Sequence, residues 1–226
     1  CRWRYALMEE KRPGQYFPIE EDGRGTYIMS SRDLCLVEHI PALIQAGISS
    51  FKIEGRMKSV NYVATTTMVY RKAIDAFRRD PKGWRPDPAW REELAKASHR
   101  PFTTGFYFGP PGPEGQIYSE SSYIRPYDFI GVVREFWPGG SKGPIESSGI
   151  HSGQAGVALV EQRNRVVVGE EVEVAGPDTP TFRQSVRGLF DQDGAPIESA
   201  PHPKQMFYLP VDHPVRAFDL IRRQER

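Results

Sequence analysis

Cysteine is almost absent from this chain: 226 residues carry two, Cys1 and Cys35. Two thiols make no disulfide framework, and their spacing is not that of a zinc finger or ribbon. Charge of one sign is missing too, since 30 basic and 29 acidic side chains leave a formal net charge of +1. No global field therefore points to nucleic acid or membrane, although local basic patches stay open. No apolar run approaches the roughly 18 residues a membrane-spanning helix needs, and no signal-peptide pattern opens the chain. A soluble, cytoplasmic protein is expected. None of the five histidines stands in an H-x-x-x-H or H-E-x-x-H spacing, which disfavours a zinc protease. G-x-S-x-G is also absent; Gly149-Ile150-His151-Ser152-Gly153 reads as a loop, so a serine hydrolase has no support. There is no repeat and no long low-complexity segment.

What is present divides into two textures. The first residue is Cys1 rather than methionine and runs into Arg2-Trp3-Arg4-Tyr5, sequence of a mid-domain kind, so the chain reads as a fragment. An N-terminal cysteine nucleophile finds no partner chemistry downstream. Residues 6–25 read as a loop or loose hairpin around a short aromatic strand near Tyr16-Phe17, and Thr26–Met29 as a strand. Ser30 and Ser31 before Arg32-Asp33 predict a capped helix start. Leu34, Val37, Leu43 and Ile44 recur at helical spacing, Pro41 splits the helix and opens its second piece, and Gly47 ends it. Ser50–Ile53 is read as a short strand feeding the charged turn Glu54-Gly55-Arg56-Met57-Lys58. In an α/β layer the residues past a strand's C-terminal end face the active-site mouth. A long helix from Ser59 to Arg79 is expected to bury Val60, Val63, Thr67, Tyr70, Ile74 and Phe77, and a short helix over Ala89–Ser98 follows.

From about residue 99 glycine and proline become frequent and short β-branched and aromatic runs appear. Tyr127–Phe136, Ala155–Val160, Val166–Val168, Glu171–Val174, Thr181–Phe190, Met206–Leu209 and Ala217–Ile221 read as strands, with turns at Asn164-Arg165 and Asp193-Gly194. That pattern predicts a small β-barrel or sandwich, with residues 138–152 as a flexible hairpin insertion. The organisation is an α/β piece over 1–98 followed by an all-β module over 99–226.

Three groups of residues carry candidate chemistry. Glu54, Arg56 and Lys58 place one carboxylate and two cations around Gly55, and Ser59 is positioned to cap a helix whose N-terminus attracts anions. They read either as a solvated loop or as a site for a carboxylate or phosphate. Cys1 and Cys35 read either as buried thiols or as part of a metal or iron–sulfur ligand set completed upstream. Trp3, Tyr5, Tyr16 and Phe17 interleave with Arg2, Arg4, Lys11 and Arg12. They are either a core-facing cluster with solvated charges or a stacking and phosphate surface for RNA. His39 reads as a packed or surface histidine and not a ligand, His99 as structural, and His151, His202 and His213 as loop residues.

The segments CRWRYALMEEKRPGQYFPIEEDGRGTYIMSSRDLCL, GISSFKIEGRMKSVNYVATTTMVYRKAID and SHRPFTTGFYFG resemble the collagenase-like peptidase family U32, nearest its tRNA-hydroxylation branch. The resemblance covers about residues 1–109 strongly and the β module more loosely. It implies a barrel-like, TIM-type catalytic domain of which 1–98 is the closing part, then a C-terminal β-barrel. It implies that Cys1 and Cys35 are two of four ligands to a four-iron, four-sulfur cluster. The implied activity is hydroxylation of carbon 5 of the wobble uridine of tRNA, with prephenate as oxygen source. On that footing Arg56 and Lys58 clamp an anionic small molecule such as the prephenate dicarboxylate, Arg2 joins the substrate-binding set, and Glu54 orients substrate or handles a proton. The family label leaves a peptidase acting on collagen-like chains as the competing class, and a non-catalytic RNA- or protein-binding fragment as a third.

Overall fold

Pro41 and Gly47 bound the first helix. The structure, a computed structural model, describes residues 6–22, 25–27, 30–111, 115–117, 123–141, 145 and 153–225. A 3₁₀ turn over Val37–His39 leads into α1 (Ile40–Gln45), with Pro41 in the first turn, where its missing N–H costs nothing. Gly47 adopts φ +85°, and the Ile48 amide reaches back to the Leu43 carbonyl at 3.3 Å, closing the helix with a left-handed glycine. Leu36, Val37, Ile40 and Leu43 are buried beneath it.

Contacts divide the chain into two units, Cys1–Phe51 with Ala73–Ile124, and Lys52–Lys72 with Arg125–Arg226. In the first, β1 (Ala6–Met8) pairs with β2 (Tyr16–Pro18), and β3 (Glu20–Asp22) with β4 (Gly25–Tyr27). Next, β5 (Ser30–Ser31) and β6 (Asp33–Leu34) take their partners from far along the chain. β7 (Phe102–Thr103) lies parallel to β6, and β8 (Gln116–Ile117) lies antiparallel to β5.

The predicted helix start at Ser30-Ser31 is therefore corrected to two short strands. Asp33 caps nothing there: its carboxylate accepts from the Arg100 amide at 2.9 Å and from Arg100 Nε at 3.1 Å. The Asp33 and Cys35 amides donate to Pro101 and Thr103 carbonyls at 3.0 and 2.9 Å. A long-range ladder thus outcompetes the local cap. His99, read as structural, is buried, with Nδ1 2.8 Å from the Ala97 carbonyl and its ring stacked on Phe102.

α2 (Val60–Arg79) begins where Ser59 Oγ accepts from the Tyr62 amide at 3.2 Å, as the hydroxyl cap requires. Of the predicted buried face only Phe77 is buried. Asn61, Thr65, Val69, Ala73 and Phe77, four apart, are buried, while Val60 and Val63 are exposed. Hydropathy favoured the larger side chains, whereas the burial follows a stripe rich in small and polar residues. α3 (Pro88–Ala95) starts with the Asp87 carboxylate accepting from the Ala89 amide at 2.9 Å.

The second unit holds the β module. Its strands are β9 (Tyr127–Pro138), β10 (Gly156–Gln162), β11 (Val166–Val167), β12 (Glu171–Ala175), β13 (Phe182–Ser185), β14 (Leu189–Phe190), β15 (Pro196–Ile197), β16 (Ser199–Ala200), β17 (Met206–Val211) and β18 (Leu220–Gln224). Eight form one antiparallel sheet in the order β13-β12-β18-β9-β10-β17-β14-β15, and β11 pairs separately with β16. The sheet curls like a half-barrel, with irregularities between Leu159 and Val160 and between Ile221 and Arg222 bending its strands. Strands β13 and β15 remain its edges, so the module is a curled open sheet and not a closed barrel. Alternating residues line the core: Ile130, Val160, Val172, Val174, Phe207, Leu209 and Ile221 are essentially dry. Each such side chain contributes about 1.5–3 kcal/mol over its exposed state. On the surface Arg134 Nε donates to Glu161 at 2.9 Å, and that bond, against opposing burial, holds the Glu161 carboxyl below its ordinary range. Most of the 138–152 insertion lies outside the described residues.

Candidate functional site

Because β6 and β7 run parallel, the segments that follow them leave at the same end of the pair. Cys35 follows β6 directly; Thr104 and a turn from Gly105 to Gly109 follow β7. Between them opens a cleft of about 380 Å³. Cys35 and Glu38 stand on one wall, Thr103, Thr104 and Phe108 on another, with Arg32 and Arg91 also lining it. Arg91 Nη1 donates to Glu38 at 2.8 Å and its guanidinium lies 5.8 Å from the Phe102 ring centre, so this cation is held and neutralised. Arg32 Nε is buried with no hydrogen-bond partner among the described residues. At the rim, Phe106, Tyr107 and Phe108 are 78%, 54% and 64% exposed. The Phe108 ring leans on His39, centroids 4.6 Å apart.

The cysteine singled out in the sequence thus sits half-buried on a cleft wall. Cys1, Arg2, Arg4, Trp3, Tyr5 and His151 lie outside the described residues. Of the aromatic–basic cluster, Tyr16 is 67% exposed and Arg12 faces Glu9 at 3.7 Å, which is a solvated arrangement.

The placement of Glu54, Arg56 and Lys58 just past a strand is corrected: residues 50–53 form no strand, because no ladder partner stands beside them among the described residues. The three belong instead to an ordered turn. Glu54 Oε1 accepts from the Arg56 amide at 3.1 Å, and the Lys58 amide donates to the Gly55 carbonyl at 3.0 Å. A Cβ at Gly55 would stand 2.9 Å from Val63 Cγ2, so glycine is what lets the turn lie on the first turn of α2. Glu54 and Arg56 are exposed, whereas Lys58 is half-buried with Nζ 5.0 Å over the Tyr62 ring.

Arg32, Glu38, Arg91 and the 105–109 turn were not singled out in the sequence as site residues. The available signal was Gly105-Phe-Tyr-Phe-Gly109, since three aromatics between two glycines cannot all turn inward on so short a turn.

A four-iron, four-sulfur cluster takes four thiolates. Cys35 is the one thiol among the described residues, where no group of three or more His, Cys, Asp or Glu is arranged to hold a metal. Its position on a cleft wall fits a single ligand to a group held jointly with residues outside this set. No helix among the described residues is long and apolar enough to cross a membrane.

Residues 1–117 match the model of Peptidase family U32 and residues 125–222 that of the Peptidase family U32 C-terminal domain. The chain belongs to peptidase family U32. It is 34% identical over 223 residues to tRNA hydroxylation protein P1 of Bacillus subtilis, covering 99% of this chain and 49% of that protein. With tRNA hydroxylation protein P of Escherichia coli it shares 33% over 208 residues, 92% of this chain and 42% of that one. A collagenase of Porphyromonas gingivalis is 28% identical over 228 residues, 100% of this chain and 56% of its own length. The chain thus spans about half the length of these curated relatives.

Proposed function

We propose that this chain is the C-terminal part of an enzyme that hydroxylates carbon 5 of the wobble uridine in tRNA, with prephenate as oxygen source. The observation that carries this reading is 34% identity across 99% of the chain to a protein named for tRNA hydroxylation. The cleft at Cys35 supports it, because a half-buried thiol beside an open space suits a ligand to a redox group. On this reading 1–98 closes a TIM-type catalytic domain, and Cys1 and Cys35 are two of four cluster ligands. The four-iron, four-sulfur cluster, when bound, supplies one-electron chemistry. The protein acts in the cytoplasm.

The chain's own residues bind and orient. Arg56 and Lys58 hold the carboxylates of the small substrate, Arg2 contributes to substrate binding, and Glu54 positions substrate or moves a proton. In the intact enzyme, Arg56→Ala and Lys58→Ala are each expected to raise the prephenate concentration for half-maximal modification about 10-fold, one charge-assisted bond's worth. Full activity at unchanged prephenate demand in both variants sinks this placement.

The first test is iron and acid-labile sulfide on the intact protein, purified without oxygen, with and without Cys35→Ser. About four irons per chain are expected in the parent, falling sharply in the variant, with 5-hydroxyuridine in tRNA lost in parallel. No iron in either sample returns Cys35 to a packing role. The relation to the Porphyromonas collagenase favours a second reading, a peptidase whose β module binds collagen-like chains. Gelatin degradation by pure intact protein, indifferent to Cys35→Ser, is the result that selects it.

A further inference from the structure

We infer that the turn Gly105–Gly109 is a base-stacking platform for unpaired nucleotides, with Arg32 as the phosphate contact beside it. This deepens the tRNA reading above and rests on it. Three consecutive aromatic side chains stand in water at one rim, each more than half exposed. Exposed aromatic surface on this scale marks a binding surface.

The turn is held by its own hydrogen bonds. Gly105 and Gly109 take φ +57° and +121°, which turns the chain at both ends. The Gly105 amide donates to Thr103 Oγ1 at 3.1 Å, tying the turn to β7. The Tyr107 and Gly109 amides donate to the Thr104 and Phe106 carbonyls at 3.4 and 3.3 Å. A platform ordered beforehand loses little entropy on binding.

Charge decides between occupants. The cleft beside the turn is lined by two arginines: Arg91 is matched by Glu38, whereas Arg32 Nε has no hydrogen-bond partner among the described residues. Of the two, Arg32 is the one that suits an anion brought to the cleft. A nucleotide brings both parts, a flat base for the rings and a phosphate for the guanidinium. A collagen-like peptide brings proline rings but no anion repeated at every residue of its backbone, as a nucleotide chain does. Gly105, Gly109 and Gly115 line the same cleft, so a planar group meets little side-chain bulk there.

The test uses the intact protein and a fluorescent tRNA anticodon stem-loop, with a fully paired RNA hairpin of equal length as control. Phe106→Leu is expected to weaken stem-loop binding about 5- to 150-fold, the range for loss of one stacked base, and to leave the paired hairpin unchanged. Phe106→Tyr is expected to restore stem-loop binding, because the requirement is a π face and not apolar bulk. Arg32→Gln is expected to lower the salt dependence of stem-loop binding by about one counterion. Phe106 is 78% exposed in this chain, and an unchanged unfolding midpoint of the intact variant separates these effects from misfolding. If the parent protein binds the stem-loop and Phe106→Leu binds it equally well, the platform is wrong and the tRNA reading stands. If the parent protein binds no tRNA, both fall. RNA binding intact in Phe106→Leu with collagen-like peptide binding lost gives the turn to a peptide and also overturns the inference.

Discussion

Glu173→Gln is expected to destabilise the β module by about 3–5 kcal/mol, read as a lower denaturation midpoint in urea. The reason lies in register. β12 pairs Glu173 with Arg183 of β13 on one side and with Arg222 of β18 on the other, so three charged residues stand in one cross-strand row. Arg222 has no exposed side-chain surface, and its Nε donates to Glu173 Oε1 at 2.7 Å. Its guanidinium also lies 5.5 Å from the centre of the Tyr127 ring. Arg183 reaches the other oxygen, Oε2, at 3.3 Å from a largely solvated position. Loss of the carboxylate charge leaves a desolvated guanidinium without its counter-ion, and water cannot reach it. The exposed Arg183 contact is a minor part, as surface pairs contribute about 0–1 kcal/mol. Replacing both buried partners, as Glu173→Leu with Arg222→Met, is expected to recover most of the loss, since apolar groups of similar volume need no partner. A cost below about 1 kcal/mol for Glu173→Gln would show that water does reach the pair.

Gly176→Ala should be nearly as damaging, at about 3–5 kcal/mol, from overpacking together with broken charged hydrogen bonds. A Cβ at 176 would fall on Oδ1 of Asp219. That carboxylate is 1% exposed and is not at liberty to move. Its Oδ2 accepts from Thr179 Oγ1 at 2.6 Å and from the Arg216 amide at 2.8 Å. The same turn holds Phe218 at φ +74° and locks it to β9 through the Phe218 amide and the Val133 carbonyl at 2.8 Å. Rotating Asp219 away would release both donors and the left-handed residue with them. Non-additivity checks the mechanism: in an Asp219→Ala background, Gly176→Ala should add almost nothing to the denaturation midpoint. Full additivity would place the strain elsewhere.

Much of the fold was legible where local chemistry decides. Pro41 and Gly47 bounded a helix, Ser59 capped another, and alternating Val, Ile and Phe marked most strands of the β module to within a few residues, although 181–190 divides into two strands and the short pieces at Pro196–Ile197 and Ser199–Ala200 were missed. What failed depended on partners far along the chain. Ser30 and Ser31 look like a helix cap until Gly115 to Ile117 and Pro101 to Thr103 supply a ladder for residues 30–35. Ser50 to Ile53 look like a strand, yet a strand exists only beside another. The buried face of α2 was misread because Asn61, Thr65 and Ala73 carry little hydropathy. The row Arg183–Glu173–Arg222 was invisible, since composition does not encode register.

The candidate site was half legible. Cys35 stood out through resemblance, and the structure places it on a cleft wall. Its neighbours Arg32, Glu38 and Arg91 did not, because their meeting depends on β6 lying beside β7. The exposure of Phe106 to Phe108 was signalled by the flanking Gly105 and Gly109 but not taken up, as aromatics in a row read by default as future core.

That β6–β7 pairing carries a consequence for how the cleft can change over evolutionary time. The distance from Cys35 to the aromatic turn is fixed by backbone hydrogen bonds, including the one from the Cys35 amide to the Thr103 carbonyl. Side chains at the pair itself, Asp33 with Arg100 and Thr103 with the Gly105 amide, add to that spacing, whereas the rim residues do not set it. Residues on either rim can therefore be exchanged one at a time, altering what the cleft accepts, while the thiol and the opposite rim stay in alignment. A lineage could retune its substrate there without passing through a misaligned intermediate.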